Sequence, residues 1–175
     1  MSNFKAPHLR LVKPEVERDR SGAALSSTQE IQADLFPIAK PWLMIFTDVS
    51  EVSADSFVML INEARPTFIL DVRPAPRFDI GRLNRSRVFE IFEQNHIQYI
   101  DVAGLAGVTS RWDANLNPSF LVETINAKLY QGSGAVEGPI VVLCNDKDCL
   151  SSAMAVFPKQ IRSSERHKWD ICLAP

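Results

Sequence analysis

Two short apolar segments of the chain each end in residues that could bind a ligand or react with one. The first ends at Asp71 and Arg73, and the second ends at Cys144. Arginine carries a planar fork of donors that suits phosphate and carboxylate groups. A cysteine can act as a nucleophile when nearby amides stabilise its thiolate. The two segments therefore indicate two kinds of chemistry, anion binding and thiol chemistry.

Arginine is concentrated just after the first segment. Five arginines and no lysine lie between Arg73 and Arg87, which favours recognition of an anion. We assign Asp71, Arg73 and Arg77 to a ligand-binding set, because open α/β sheets bind ligands beyond the carboxyl ends of their strands. In the alternative interpretation, the later arginines only solvate one face of the following helix, and Asp71 pairs with a neighbouring arginine.

The second segment is followed by an acidic loop that contains another thiol. Cys144 is the candidate catalytic nucleophile, and Asp146 and Cys149 join the ligand-binding set. The carboxylates of this loop would raise the pKa of the Cys144 thiol, and a cysteine at a strand end is often only a small buried hydrophobe. A zinc site made from the two cysteines and a histidine stays open, although its four-residue spacer and acidic neighbours are not typical. We assign no metal and no cofactor.

Apolar strands and amphipathic helices alternate along the chain. The strands are apolar at nearly every position, as in sheets buried on both faces. We therefore predict an α/β fold of three layers, with a mostly parallel, open, Rossmann-like sheet. If the second and fourth strands are neighbours, their loops open at one sheet edge. The predicted strands are 42–49, 67–72, 97–103, 139–144 and 168–174, and the predicted helices are 53–64, one opened by Asn84 or Ser86, 117–130, and 151–157 ended by Pro158.

Length and composition indicate one domain with a tail. The chain has 175 residues, of which 46% are hydrophobic, enough for one core. Residues 1–40 are polar and interrupted by proline, so we predict a flexible arm (1–40) before a domain (41–175). A net charge of −2 argues against coating of nucleic acid by the whole surface. No segment is apolar enough to span a membrane, and an odd number of cysteines suits a reducing, cytoplasmic location.

The segment from Phe68 to Gly107 resembles the DUF488 family. A later segment, 141–156, is similar to that family's second motif, in which a strand ending in cysteine precedes an acidic stretch and Cys-His-Arg. Here Leu150-Ser151 stand in place of His-Arg, which points to a binding module rather than a catalyst. The family implies an α/β fold and no established reaction. The matching features of the first segment are Asp71-Val72-Arg73, Pro76, His96-Ile97-Gln98-Tyr99 and Leu105-Ala106-Gly107.

A second resemblance competes with the first. Residues 70–83, followed by the strand that ends at Cys144, are similar to rhodanese domains. In those domains a strand-end cysteine carries a persulfide, so the resemblance implies sulfur transfer with Cys144 as the nucleophile. Arg82 stands in place of the histidine of the rhodanese motif.

The arm contains Gln32-Ala33-Asp34-Leu35-Phe36, which resembles the pentapeptide by which bacterial replication and repair proteins dock on the sliding clamp. Gln32 would hydrogen-bond at the rim of a cleft that Leu35 and Phe36 fill. Alternatively, the apolar residues of the arm pack on the domain. The leading functional hypothesis is a binding module for an anion, a nucleotide or nucleic acid that the arm recruits. The alternative is a sulfur-transfer enzyme that uses Cys144.

Overall fold

The computed structural model describes residues 42–108, 118–131, 136, 138–162 and 168–174. Strands and helices alternate within them, as the sequence predicts. In chain order they are β1 (Leu43–Asp48), α1 (Ala54–Ala64), β2 (Phe68–Asp71), α2 (Arg85–Gln94), β3 (Gln98–Asp101), α3 (Val102–Leu105), α4 (Pro118–Leu129), β4 (Ile140–Cys144), α5 (Lys147–Gln160) and β5 (Asp170–Leu173).

The strands form one sheet in the order β3-β2-β4-β1-β5. Every strand pair described is parallel, so the predicted α/β class is confirmed. The sequence predicts a mostly parallel sheet, whereas all the described pairs are parallel. β2 and β4 are neighbours, with Asp71 paired in register with Leu143. The loops that follow these two strands therefore open at the same edge of the sheet.

Helices cover both faces of the sheet and give the three predicted layers. One face, which we name the Cys144 face, carries Phe46, Val142 and Cys144 and packs against α4 and α5. The other, the Tyr99 face, carries Ile69 and Leu143 and packs against α1 and α2. Burial of this apolar surface on two sides is the main favourable term for such a sheet.

Side-chain caps set the starts of two helices. Ser53 opens α1 by accepting a hydrogen bond from the backbone N–H of Ser56 at 3.1 Å. Asn84 opens α2 by accepting from the N–H of Arg87 at 2.9 Å. Asn84 rather than Ser86 is therefore the N-cap, which is consistent with the strong preference of asparagine for that position.

The predicted bounds of α5 are wrong at both ends. The carboxylate of Asp146 accepts from the N–H of Cys149 at 2.9 Å, so the helix begins at Lys147 and not at Ser151. The helix also continues through Pro158 to Gln160, because a proline so near the last turn removes only one hydrogen bond, and the flanking Phe157 and Ile161 are buried. As a result, Cys149 lies in the first turn of a helix.

The third strand is shorter than predicted. It ends at Asp101, whose carboxylate accepts from the N–H of Gly104 at 2.8 Å and starts the short helix α3. The sequence predicts a strand that continues to Ala103. Among the described residues, no helix combines the length and the apolar character needed to cross a membrane.

Candidate functional site

The predicted site residues lie at one edge of the sheet but on opposite faces. Successive residues of a strand point to alternate faces. Asp71 is level with Leu143, which belongs to the Tyr99 face, whereas the next residue, Cys144, is buried on the Cys144 face. The two strand ends converge as expected, yet their side chains build two separate clusters.

The first cluster surrounds the carboxylate of Asp71, which is 0% exposed. Arg73 donates from Nε to Oδ1 at 2.8 Å and from Nη2 to Oδ2 at 2.7 Å, which is a bidentate ion pair. Tyr99 donates its hydroxyl to Oδ2 at 3.0 Å. A buried carboxylate needs partners of this kind, because desolvation of an unpaired charge is costly.

The guanidinium of Arg73 is occupied on its other sides as well. Nη1 donates to the carbonyl oxygen of Arg77 at 3.1 Å, and Cζ lies 4.9 Å from the ring centroid of Phe78. The side chain is 5% exposed. These contacts hold the segment after β2 against the sheet, so an external anion would have to compete with Asp71 for Arg73.

Aromatic rings enclose Tyr99. Phe78, Phe89 and Phe92 lie with their ring centroids 5.5, 5.1 and 6.0 Å from the ring of Tyr99. Burial is the largest cause that raises the pKa of the Tyr99 phenol, and the charge of Asp71 and the hydrogen bond to it add to the effect. Tyr99 is therefore held as a neutral donor to the carboxylate of Asp71.

The remaining arginines of the loop and helix are exposed and differ in their contacts. Arg87 pairs with Glu90 at 2.8 Å, and Cζ of Arg85 lies 5.2 Å from the ring centroid of Phe89. Arg77 and Arg82 are exposed, and their side chains form no hydrogen bond or ion pair within the described part of the chain. These two donors can meet an external anion.

The second cluster is a pair of thiols. Cys144 ends β4 and is 0% exposed, whereas Cys149 lies in the first turn of α5 and is half-buried. Interaction with the Cys144 side chain is the largest cause that lowers the pKa of the Cys149 thiol. Burial opposes the shift, while the backbone N–H of Asn145 adds to it by donating to the same sulfur.

The pKa of Cys144 moves in the opposite direction. Interaction with the Cys149 side chain raises it most, burial raises it further, and the charges of Cys149, Asp48 and Asp71 add to the shift. The two pKa shifts therefore favour loss of the proton from Cys149 before Cys144. The assignment of the nucleophile to Cys144 stays a prediction.

The place of Cys149 in the first turn of α5 differs from the sequence prediction, which starts this helix at Ser151. The signal was present in the sequence, since an aspartate three residues before Cys149 can cap a helix and place the cysteine in its first turn. The backbone of Cys149 donates to that aspartate, Asp146, which is a local structural role for a residue predicted to bind a ligand.

Besides Asp71, two carboxylates make the surroundings of the thiols acidic. Asp146 raises the pKa of Cys149 by its charge, and Asp48 raises the pKa of both thiols. Asp48 also accepts from the N–H and hydroxyl of Ser50 at 2.9 and 2.7 Å. Within the described ranges, no group of three or more histidine, cysteine or acidic residues is arranged to hold a metal ion.

The arm residues Gln32, Leu35 and Phe36 lie outside the described residues, so docking on a sliding clamp stays a prediction. Comparison with known proteins gave no match, whether with family models, with curated proteins or with solved structures. The resemblances to the DUF488 family and to rhodanese domains accordingly stay predictions.

Proposed function

We propose that this protein carries out thiol chemistry with Cys149 as the nucleophile. The observation that carries the proposal is the position of Cys149, a half-buried free cysteine in the first turn of α5 that packs against the apolar cluster containing Cys144. Helix N-termini and nearby donors are the usual means of stabilising a thiolate. The proposal keeps the sulfur-transfer class but moves the attacking atom from Cys144 to Cys149.

In this chemistry the thiolate of Cys149 attacks an electrophilic sulfur atom. A new S–S bond forms to Cys149, and the electron pair of the broken bond leaves with the departing group. For a sulfane-sulfur donor the product on Cys149 is a persulfide, which a second nucleophile then removes. The carboxylates of Asp48 and Asp146 favour neutral or cationic donors over anionic ones, since like charges repel within a few ångströms.

Labelling with iodoacetamide at pH 7, followed by peptide mapping, tests the nucleophile. We expect Cys149 to react at least about tenfold faster than Cys172 in the same molecule, because burial raises the pKa of Cys172 while that of Cys149 is lowered. The rate at Cys149 should reach its plateau at a lower pH than for an ordinary thiol. With the anionic reagent iodoacetate, the ratio of the labelling rates at Cys149 and Cys172 should be much smaller.

The Cys149→Ser variant is the control for the labelling experiment, and in it the fast phase should disappear. A fast phase that persists in that variant and maps to Cys144 would restore the original assignment. Equal, slow labelling of Cys144, Cys149 and Cys172 would contradict any nucleophilic role for the pair.

A second candidate function is anion binding by the exposed arginines after β2. The observation that favours it is the contrast between Arg77 and Arg82, which have no acidic partner among the described residues, and Arg87, which pairs with Glu90. Recruitment to DNA through Gln32, Leu35 and Phe36 of the arm would suit this function.

Anisotropy of a labelled single-stranded oligonucleotide at low salt tests this second candidate. Combined Arg77→Ala and Arg82→Ala substitutions should weaken binding by about tenfold or more, whereas combined Arg85→Ala and Arg87→Ala, the control of equal charge, should change it less. Equal losses in the two variants would mean only a diffuse charge effect, and no detectable binding by the unaltered protein would contradict the proposal.

A further inference from the structure

We propose that β5 is the contact surface of a weak homodimer, in which it pairs antiparallel with β5 of a second copy about a two-fold axis at Cys172. The pairing joins the sheets of the two copies into one continuous sheet. It does not depend on the thiol chemistry proposed for Cys149, so either proposal can fail without the other.

β5 is an edge of the sheet with unpaired backbone groups. Its only strand partner among the described residues is β1. The N–H of Asp170 donates to the carbonyl oxygen of Trp42 at 2.7 Å, and that of Ala174 donates to β1 at 3.0 Å. Backbone groups of successive residues in a strand point to opposite edges, so those of Ile171 and Leu173 point away from β1. Within the described part of the chain, no backbone group pairs with them.

The same two residues carry exposed apolar side chains. Ile171 and Leu173 are 49% and 51% exposed. They are in register with Met44 and Phe46 of β1, which lie on the Cys144 face and are 0% exposed. The helices that bury these β1 residues therefore leave β5 only partly covered within the described ranges. An edge that combines unpaired backbone groups with exposed aliphatic side chains is a template for another strand.

A second copy of β5 matches this edge. In an antiparallel pair about an axis at Cys172, Ile171 lies opposite the partner's Leu173, and Leu173 lies opposite the partner's Ile171. The backbone groups that point outward then face each other, so each pair exchanges hydrogen bonds in both directions. The aliphatic side chains of both copies meet on the Cys144 face of the joined sheet, where directly opposite side chains cover one another.

Charge selects this register over the neighbouring ones. With the axis at Cys172, Asp170 lies opposite the partner's Ala174, so like charges do not face each other. An axis at Asp170 would place its carboxylate opposite that of the second copy, and like charges directly opposite destabilise a strand pair. An axis at Ile171 would pair one end of β5 with residues that precede the strand.

The contact area indicates that the dimer is weak. β5 has 4 residues, and the contact consists of two such strand edges and the exposed halves of the aliphatic side chains. Stable, specific interfaces bury about 1,200–2,000 Å², which is more than this contact can supply. We therefore expect the dimer to form at high protein concentration and to dissociate on dilution.

Oxidation by diamide tests the pairing, because the axis places Cys172 opposite the partner's Cys172. The Cα atoms of a non-hydrogen-bonded antiparallel pair are about 4.5 Å apart, which a disulfide can span. The starting protein carries Cys149→Ser, and Cys144 is 0% exposed, so Cys172 is the thiol available for linking. Diamide oxidises the two thiols to a disulfide and is itself reduced to the hydrazine. We expect a covalent dimer that peptide mapping assigns to Cys172 and that Cys172→Ser abolishes.

A charge introduced at the edge should separate the two copies. Leu173→Lys places an ammonium group in the contact and keeps Cys172, so the yield of covalent dimer should fall to that of random collisions. In sedimentation equilibrium, the same substitution should raise the dimer dissociation constant by about tenfold or more. Leu105→Lys is the matched control, because Leu105 is 53% exposed on α3, and it should change neither measurement.

Each contrary result identifies the part of the proposal that is wrong. A protein that stays monomeric at millimolar concentration and forms no link would overturn the dimer, and a dimer without the Cys172 link would overturn the axis. Equal effects of Leu173→Lys and Leu105→Lys would exclude β5 as the contact. Hydrogen exchange at the amides of Ile171 and Leu173 should slow as protein concentration rises. Slow exchange that is independent of concentration would mean that a different occupant covers the edge.

Discussion

The two faces of the sheet end at the same edge, but they use their polar groups in different ways. On the Tyr99 face, the carboxylate of Asp71 receives donors from Arg73 and Tyr99, and Arg73 is closed off by further contacts. On the Cys144 face, Cys149 is half-buried, and interaction with Cys144 lowers the pKa of its thiol. A buried network that satisfies all its members makes structure rigid, whereas a stabilised atom that stays accessible can react.

The comparison changes the meaning of the arginine-rich segment. Arg73 looked like the residue most suited to a ligand because it follows the end of a central strand. Its position is central, but its donors face protein atoms, and it ties the segment after β2 to the aromatic cluster around Tyr99. Arg77 and Arg82 are exposed, so they are better placed than Arg73 to bind an external anion.

Replacing Arg73 is the strongest way to test the structural role of the Tyr99 face. Arg73→Ala leaves the carboxylate of Asp71 buried without its ion pair, so the free energy of unfolding should fall by about 3–5 kcal/mol. Arg73→Lys keeps the charge but loses the bidentate fork and should cause a smaller loss. Denaturant unfolding followed by circular dichroism measures both changes.

The matched substitution on the Cys144 face should abolish thiol reactivity and leave the stability of the fold almost unchanged. Cys149→Ser removes the thiol but should lower the free energy of unfolding by less than about 1 kcal/mol, since the side chain is half-buried. If Arg73→Ala costs as little as Cys149→Ser, or if it abolishes thiol labelling while the protein stays folded, the contrast between the two faces is wrong.

The three layers of the fold could be predicted from the sequence. The placement of the candidate site residues on two opposite faces of the sheet could not. Apolar runs and caps such as Asn84 are local signals, and they placed the strands and most helices correctly. Which face a side chain occupies depends on where each strand begins and on its register, and alternation puts Asp71 and Cys144 on opposite faces. A continuous apolar run carries no period-2 signal that could reveal this.

The start of α5 shows a second limit. Asp146 and Ser151 are both acceptable caps, and the local sequence does not decide between them. The structure uses Asp146, and the difference of one turn moves Cys149 from a loop into the helix beside Cys144. The place of Cys149 in the first turn of α5 was therefore not predictable from the spacing of the cysteines alone.

The smaller test of the Tyr99 face is Tyr99→Phe, whose effect should depend on pH. The substitution removes the hydrogen bond to Asp71, so at neutral pH the free energy of unfolding should fall by about 2 kcal/mol. The folded-state pKa of Tyr99 is raised above the unfolded value of about 10. Above that pH the unfolded chain loses the phenolic proton while the folded protein keeps it, so the stabilisation by Tyr99 decreases as pH rises.

The stability gap between the unaltered protein and Tyr99→Phe should therefore be constant up to about pH 9 and narrow above about pH 10. Urea unfolding of the two proteins at pH 7 to 11 measures the gap. Tyr130→Phe is the comparison for burial without a carboxylate partner, because Tyr130 donates to the carbonyl oxygen of Arg162 and burial alone raises the pKa of its phenol. A gap that stays constant through pH 11 would mean that Tyr99 titrates normally, and the Asp71 cluster would then be more open to water than its contacts imply.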